Sequence, residues 1–131
     1  MQTGDLVMFR GRGLAAWVIR AWTRSSWAHC GVLWVCEGVP LVIESRAIGG
    51  VSCHALQARL KDCPDLYPTG RTVSLPLALR HLGGRYSVKD AVRAGLGQRG
   101  DHAGWTCAEV AAMILGLDHD AAGQHEWPRR I

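Results

Sequence analysis

The stretch HCGVLWVCEGVPLVIESR, residues 29–46, decides the fold. It holds two runs rich in apolar and β-branched residues, HCGVLWVC and LVIESR, joined by the short segment EGVP, which contains Gly38 and Pro40. Two such runs on either side of a turn predict a β-hairpin. Because polar residues are scarce in both runs, we expect the hairpin to be buried on both of its faces.

The flanking segments predict further strands and helices. DLVMF (5–9) is bounded by glycines and predicts a strand, whereas LAAWVIRAWTR (14–24) has apolar residues at helical intervals. VSCHALQARL (51–60) begins extended and ends with helical spacing. Three later predictions are a loop over CPDLYPTG (63–70), a strand over RTVSLPL (71–77) and a helical segment over SVKDAVRAGL (87–96). A last helix is expected from Cys107 to about Leu117, before a dozen residues without a clear period.

Length and composition indicate one soluble domain spanning residues 1–131, with 48% hydrophobic and 20% charged residues. No apolar run is long enough to cross a bilayer, and the N-terminus lacks the order of a signal peptide. We therefore expect a cytoplasmic protein, or one delivered with a phage particle or by a non-classical export route. The five cysteines are irregularly spaced, which disfavours a disulfide framework. The net charge of +4 comes from scattered arginines, so no specific nucleic-acid partner is expected.

The segment WTCAEV (105–110) places a cysteine at a predicted helix start. Thr106 and Glu109 have the spacing of a capping box, which makes Cys107 the first helical residue. The helix dipole and its free N–H groups stabilise a thiolate there by up to about 2 kcal/mol, which corresponds to a pKa lower by between one and two units. Cys107 is thus a candidate nucleophile, although a cysteine at this position is also compatible with simple packing.

A histidine and a carboxylate occupy unusual places in the hairpin. His29 begins an apolar strand after a polar turn, and Glu44 is embedded in LVIES. If the hairpin turns at Cys36 and Glu37, His29 lies directly opposite Glu44; if it turns at Glu37 and Gly38, the two are diagonal but still share a face. We expect Glu44 to orient His29 as a general base. The alternative is a structural ion pair of Glu44 with an arginine such as Arg46.

In order, the segments GDLV, SSWAHCGV, LVIESR, GGRY and WTCAEV resemble the circularly permuted, NlpC-like branch of the papain-fold cysteine hydrolases, the YiiX/YaeF-like permuted amidases. The resemblance implies an α+β fold in which an antiparallel sheet packs against the helix that carries the cysteine at its N-terminus. It also implies a catalytic triad of Cys107, His29 and Glu44. Tyr86, in GGRY, is expected to line the substrate cleft or to help hold an oxyanion. CAE replaces the more common CSE, so a role for that serine hydroxyl is absent.

The resemblance further implies hydrolysis of amide bonds through a thioester acyl-enzyme, with bacterial cell-wall peptides as the leading substrate class and no cofactor or metal. The first alternative is a lipid ester or thioester hydrolase or acyltransferase, similar to lecithin retinol acyltransferase, with Trp17, Trp22 and Trp27 as a candidate apolar lip. The second is an inactive scaffold in an envelope or virion assembly. The third is a metal-binding module built from cysteine and histidine side chains without a CxxC pair, namely His29, Cys30, Cys36, Cys53, His54 and Cys63.

Overall fold

A computed structural model describes residues 1–71, 73, 76, 79–80, 82–85 and 107–116 of the chain. Five strands form one antiparallel sheet in the order β4-β3-β2-β1-β5. The strands are β1 Leu6–Phe9, β2 His29–Cys36, β3 Val39–Arg46, β4 Gly50–Ala55 and β5 Pro64–Tyr67. The helices are α1 Gly13–Thr23, a 3-10 helix Leu56–Asp62 and α2 Cys107–Ile114. The described residues therefore form a mixed α and β structure built on an antiparallel sheet, as the sequence predicts.

The hairpin of β2 and β3 adopts the second of the two registers considered above. Cys36 lies opposite Val39, so the turn consists of Glu37 and Gly38. Both turn residues have positive φ angles, 48° and 80°, as in the type I′ turns whose twist matches that of the flanking strands. Pro40, expected in the turn, lies instead in β3 opposite Val35.

Both faces of the sheet are buried. Successive side chains of each strand point to opposite sides, so each strand contributes residues to both faces. One face packs against α2 and contributes Leu6, Met8, Cys30, Val32, Ile43 and Val51. The other face lies against the 3-10 helix and contributes Val7, Phe9, Leu33 and Val42, together with Leu56 of that helix. The predicted burial of the hairpin on both faces is confirmed, and helices on the two sides can reach the same end of β2.

Two predictions made between residues 63 and 77 are wrong at the described positions. The expected loop 63–70 contains the strand β5, which pairs with β1 and tolerates Pro64 because a proline at the start of an edge strand need not donate to the ladder. In the expected strand 71–77, Arg71 and Val73 lie outside any strand and Pro76 is helical. β2 and β5 already occupy both sides of β1, and β propensity is realised only where a partner strand is available.

α2 begins at Cys107, the residue that the sequence predicts as its first. It ends at Ile114, and a turn follows in which the N–H of Gly116 donates to the carbonyl of Met113. Three predictions lie outside the described residues: the capping role of Thr106, the helical segment 87–96 and the absence of a clear period in the last dozen residues. None of the described helices is long and apolar enough to span a membrane.

Candidate active site

Three elements bring the predicted site residues to one end of the sheet. His29 is the first residue of β2, Glu44 lies near the end of the antiparallel β3, and Cys107 is the first residue of α2. The imidazole bonds the Glu44 carboxylate, and it lies close enough to Cys107 for the two groups to shift each other's pKa. Tyr86, the fourth residue proposed from the sequence, lies outside the described residues.

His29 and Glu44 meet diagonally across the hairpin. Gly31, not His29, is directly opposite Glu44, and the imidazole Nε2 reaches back to Glu44 Oε2 at 2.6 Å. The Glu44 side chain is fully buried, whereas that of His29 retains 18% exposure. Because Nε2 is engaged with the carboxylate, Nδ1 is the ring nitrogen left to interact with a thiol.

Gly31 leaves the room that this diagonal contact needs. A Cβ atom at this position would lie 2.6 Å from Val42 Cγ1, 2.9 Å from the Ile43 carbonyl oxygen and 3.2 Å from Glu44 Cβ. Real Cβ atoms almost never approach other atoms as closely as the first two of these distances. The glycine in the H-x-G segment is therefore explained by close packing of β2 against β3 rather than by an unusual φ angle.

Arg59, in the 3-10 helix, is a second cation that binds the Glu44 carboxylate. Arg59 Nη2 donates to Glu44 Oε2 at 3.2 Å, and Arg59 Nε lies 2.9 Å from Oε1. The Nε–Oε1 pair is close enough for an ion pair but is not aligned as a hydrogen bond. The opposite side of the guanidinium bonds the carboxylate of Asp62. Glu44 is thus shared between an imidazole and a guanidinium, as a buried carboxylate must be to remain ionised.

The ring of Phe9 packs against both the His29 imidazole and the Arg59 guanidinium. Its ring stacks against the His29 imidazole with centroids 5.6 Å apart and planes at 30°. The guanidinium carbon of Arg59 lies 4.9 Å from the centroid of the same ring. An aromatic face attracts positive charge, so Phe9 favours the protonated imidazole while fixing the plane in which it lies.

Cys107 lies beside groups that can donate to its thiolate. The thiol and the backbone of Cys30 and the imidazole of His29 all lower the pKa of Cys107. Cys30 follows His29 in β2 and points to the α2 face of the sheet. The Cys107 side chain is only 3% exposed, so its donors act in a poorly hydrated environment where they are strong.

These interactions favour a thiolate on Cys107 and an imidazolium on His29. The hydrogen bond from the Cys30 thiol and the positive charge of His29 hold the pKa of Cys107 well below its usual value, against the opposing effect of burial. Burial by itself would lower the pKa of His29, but the Cys107 thiolate and the Glu44 carboxylate outweigh it and raise that pKa to about 9. The pKa of the Cys30 thiol is raised well above its usual value by burial and by Cys107. Cys30 therefore stays protonated and donates.

The pKa of Glu44 is lowered in spite of its burial, which alone would raise it. The hydrogen bond and the charge of His29 have the largest lowering effect, followed by the charges of Arg59 and Arg46. The structural ion pair that the sequence offered as an alternative thus coexists with the imidazole contact. The arginine in contact is Arg59, however, and not Arg46.

An open cleft of about 310 Å³ adjoins His29. The N-terminal part of α1, the loop that precedes it, the end of β3 and the 3-10 helix form its walls. His29 lines this cleft, and Arg12, Ile19, Arg46 and Arg59 contribute basic and apolar groups to it. Among the residues that the structure describes, Cys107 does not line it, so the imidazole is the member of the predicted triad that faces the cleft.

The sequence indicated three residues of the candidate site but not the residues that interact with them. Helix-start chemistry indicated Cys107, and the hairpin pattern indicated His29 and Glu44. Cys30 and Arg59 were missed as site residues: Cys30 stands in an apolar run and was considered only as a metal ligand, and Arg59 reaches Glu44 only because the 3-10 helix folds onto the sheet. No group of three or more His, Cys, Asp or Glu side chains within the described ranges is arranged to hold a metal ion.

Comparison with known proteins finds similarity to a solved structure but no match in sequence. No family model matches the chain, and no curated protein matches it in sequence. Among solved structures, the chain is similar to that of the metalloprotein YiiX from Escherichia coli O157:H7, DUF1105, with a TM-score of 0.61 and 22% sequence identity. The match covers 88% of this chain and 67% of the YiiX chain. At this identity the likeness shows that the chain has a YiiX-like fold.

Proposed function

We propose that the protein is a cysteine hydrolase that cleaves amide bonds through a thioester acyl-enzyme. One observation carries the proposal: Cys107 contacts an imidazole whose Nε2 bonds, at 2.6 Å, a fully buried carboxylate. A nucleophile, a base within hydrogen-bond reach and a group that orients the base form the constellation used for nucleophilic catalysis of acyl transfer. The YiiX-like fold is compatible with a hydrolase-like role.

The resting site already holds the proton where the reaction needs it. The Cys107 thiolate attacks the carbonyl carbon of the substrate and forms a tetrahedral oxyanion, after which the His29 imidazolium gives its proton to the departing amine. The imidazole then takes a proton from water, the hydroxide attacks the thioester, and Cys107 leaves as a thiolate while the imidazolium is restored. Glu44 keeps the ring oriented and favours its protonated form throughout.

The N-terminus of α2 offers one donor to the oxyanion. The N–H groups of a helix's first residues have no partner within the helix, and Cys107 is the first residue of α2. Its backbone N–H lies next to the reacting sulfur, where an oxyanion donor is required. Tyr86 remains a prediction for a second donor or for a residue that lines the substrate cleft.

For the substrate class, the resemblance to permuted NlpC-like amidases favours short peptides of the bacterial cell wall. Arg12, Arg46 and Arg59 line the cleft, which suits a substrate that carries carboxylates. YiiX is called a metalloprotein, but the donor set of the described residues does not fit a metal centre. We therefore derive no step through a metal.

A lipid ester or thioester is the second candidate substrate, and one observation favours it. Of the three tryptophans proposed as an apolar lip, Trp27 is buried in the core, but Trp17 and Trp22 of α1 are 59% and 55% exposed. α1 also forms a wall of the cleft beside His29. An acyl chain that enters this cleft would pass an apolar surface, which a soluble peptide does not require.

The proposed function is tested by incubating the protein with peptidoglycan fragments, generic amides and lipid esters, and analysing products and intact protein by mass spectrometry. We expect release of an amine or alcohol and an acyl adduct on Cys107 that is absent from Cys107→Ser. The matched control is Cys63→Ser, since Cys63 is an exposed thiol that is not a member of the proposed triad. Turnover that survives in Cys107→Ser would exclude Cys107 as the nucleophile, and no turnover of any substrate class would count in favour of an inactive scaffold.

A further inference from the structure

α1 presents its apolar side chains to solvent rather than to the core. Leu14, Trp17, Val18 and Trp22 are 75%, 59%, 48% and 55% exposed. Their spacing along the helix places them on one outward stripe. The buried position of α1 is the small residue Ala16, which lies only 2.8 Å from where a Cβ on Gly11 would stand. A helix on the surface of a soluble protein normally has the opposite arrangement.

The helix is held in place without using this stripe. Ala16 and Ala28 both lie close to Gly11, and the guanidinium of Arg20 donates to the backbone carbonyl of Arg10 at 3.0 Å. Among the described residues, α1 is thus docked through small side chains and a polar contact. Its largest apolar side chains make up an exposed patch, the kind of surface that marks an interaction site.

Along the sequence, the charges in and next to α1 are of a single sign. No acidic residue occurs between Asp5 and Glu37, whereas Arg10, Arg12, Arg20 and Arg24 all fall in this interval. Arg12 precedes α1 and Arg24 follows it, and both are exposed. An apolar stripe with tryptophans and with arginines at both ends is the composition of helices that lie in the interface of an anionic membrane.

The same charges disfavour a second copy of the chain as the occupant. In an antiparallel pairing of two α1 helices, Arg12 of one copy would lie near Arg24 of the other, and neither helix has an acidic residue to compensate. A bilayer that contains anionic lipids supplies both the apolar interior for the stripe and the negative charge for the arginines. With 11 residues, α1 is long enough to lie on such a surface but not to cross it.

We propose that α1 docks the protein on the surface of an anionic lipid bilayer, with Leu14, Trp17, Val18 and Trp22 inserted at the boundary between headgroups and acyl chains. The inference rests on exposure and charge alone and does not depend on the proposed hydrolase activity. It adds a consequence for that activity, because Arg12 and Ile19 of the same region line the cleft beside His29. Docking therefore places the opening of the cleft near the lipid surface.

The test is cosedimentation of the full chain with vesicles of phosphatidylcholine alone and of phosphatidylcholine with about 30 mol% phosphatidylglycerol. We expect binding to the anionic vesicles that Trp17→Ser/Trp22→Ser weakens by at least about tenfold, because two large side chains no longer leave water. Val39→Ser/Leu60→Ser is the matched control, since Val39 and Leu60 are 51% and 57% exposed but lie outside α1. The control is expected to bind like the wild type. Lipids brominated on their acyl chains are expected to quench tryptophan fluorescence in the wild type and in the control, and much less in the Trp17 and Trp22 variant.

Charge is tested separately with Arg12→Gln/Arg24→Gln, which is expected to reduce binding to anionic vesicles to the level seen with phosphatidylcholine. Failure to bind anionic vesicles, or equal weakening by the control variant, would overturn the proposal. So would a wild-type dimer that becomes a monomer in Trp17→Ser/Trp22→Ser, because a second copy would then cover the stripe. Cys107→Ser is expected to bind vesicles normally, so loss of catalysis and loss of docking are distinguishable.

Discussion

Replacing Glu44 by Gln isolates the charge that the hairpin places behind the imidazole. The variant keeps the shape of the side chain but removes the negative charge that is shared by His29 Nε2 at 2.6 Å and Arg59 Nη2 at 3.2 Å. Both donors bond Oε2, so the single oxygen of Gln can take that place, but its amide nitrogen then replaces Oε1 and faces Arg59 Nε, itself a donor. We therefore expect both the protonation of the imidazole and the stability of the fold to change.

The size of each effect follows from the contacts. A hydrogen bond to a charged group contributes about 1.5–3 kcal/mol, and each pKa unit corresponds to about 1.4 kcal/mol, so Glu44→Gln should lower the pKa of His29 by about one to two units from its value of about 9. Breaking a buried ion pair typically costs about 3–5 kcal/mol of unfolding free energy. The oxygen that Gln retains places the expected loss near about 3 kcal/mol.

The two effects are measured by NMR titration of the His29 ring and by urea denaturation. Asp62→Asn is the control, because Asp62 bonds the same guanidinium of Arg59 but does not contact the imidazole. It is expected to lose some stability and to leave the His29 titration nearly unchanged. An imidazole that titrates identically in wild type and Glu44→Gln would refute the role assigned to Glu44.

Three further predictions concern the same site. Cys30→Ala removes the thiol that donates to Cys107, so the midpoint of Cys107 alkylation against pH should rise by about one unit or less. Gly31→Ala, with its Cβ 2.6 Å from Val42, should lower the unfolding free energy by about 1–3 kcal/mol in urea; an unchanged midpoint would show that the strands separate easily. The pKa of His29 lies above its usual value of 6.5, at about 9; its contribution to stability should thus be complete below pH 6.5 and be lost as pH rises through about 9. Turnover should fall over the same alkaline range, because the leaving group needs the imidazolium as its proton donor.

Local patterns in the sequence were sufficient for the parts of the structure that depend on neighbouring residues. The two apolar and β-branched runs in 29–46 predicted the hairpin, and the two-residue period of a strand kept His29 and Glu44 on one face even though the first register considered was wrong. The position of Cys107 at the start of α2 followed from helix-start signals. These predictions needed no knowledge of how distant segments pack.

The remaining features are set by contacts between distant segments. β5 forms because β1 has a second side available, and nothing in CPDLYPTG signals that. Arg59 joins the site only when the 3-10 helix packs against the face of the sheet that contains Phe9. Cys30 contributes because α2 brings Cys107 onto the opposite face, where Cys30 lies. Such partners are determined by tertiary packing, which single-sequence periodicity does not encode.

The most direct test of the central claim is alkylation by iodoacetamide at about pH 6 with peptide mapping, where ordinary thiols are almost entirely protonated. The wild type is expected to be modified first at Cys107, although this side chain is only 3% exposed, and ahead of the exposed Cys63. In His29→Ala this preference should disappear. Faster labelling of Cys63 in the wild type, or an unchanged rate at Cys107 in His29→Ala, would contradict a thiolate held by the imidazole.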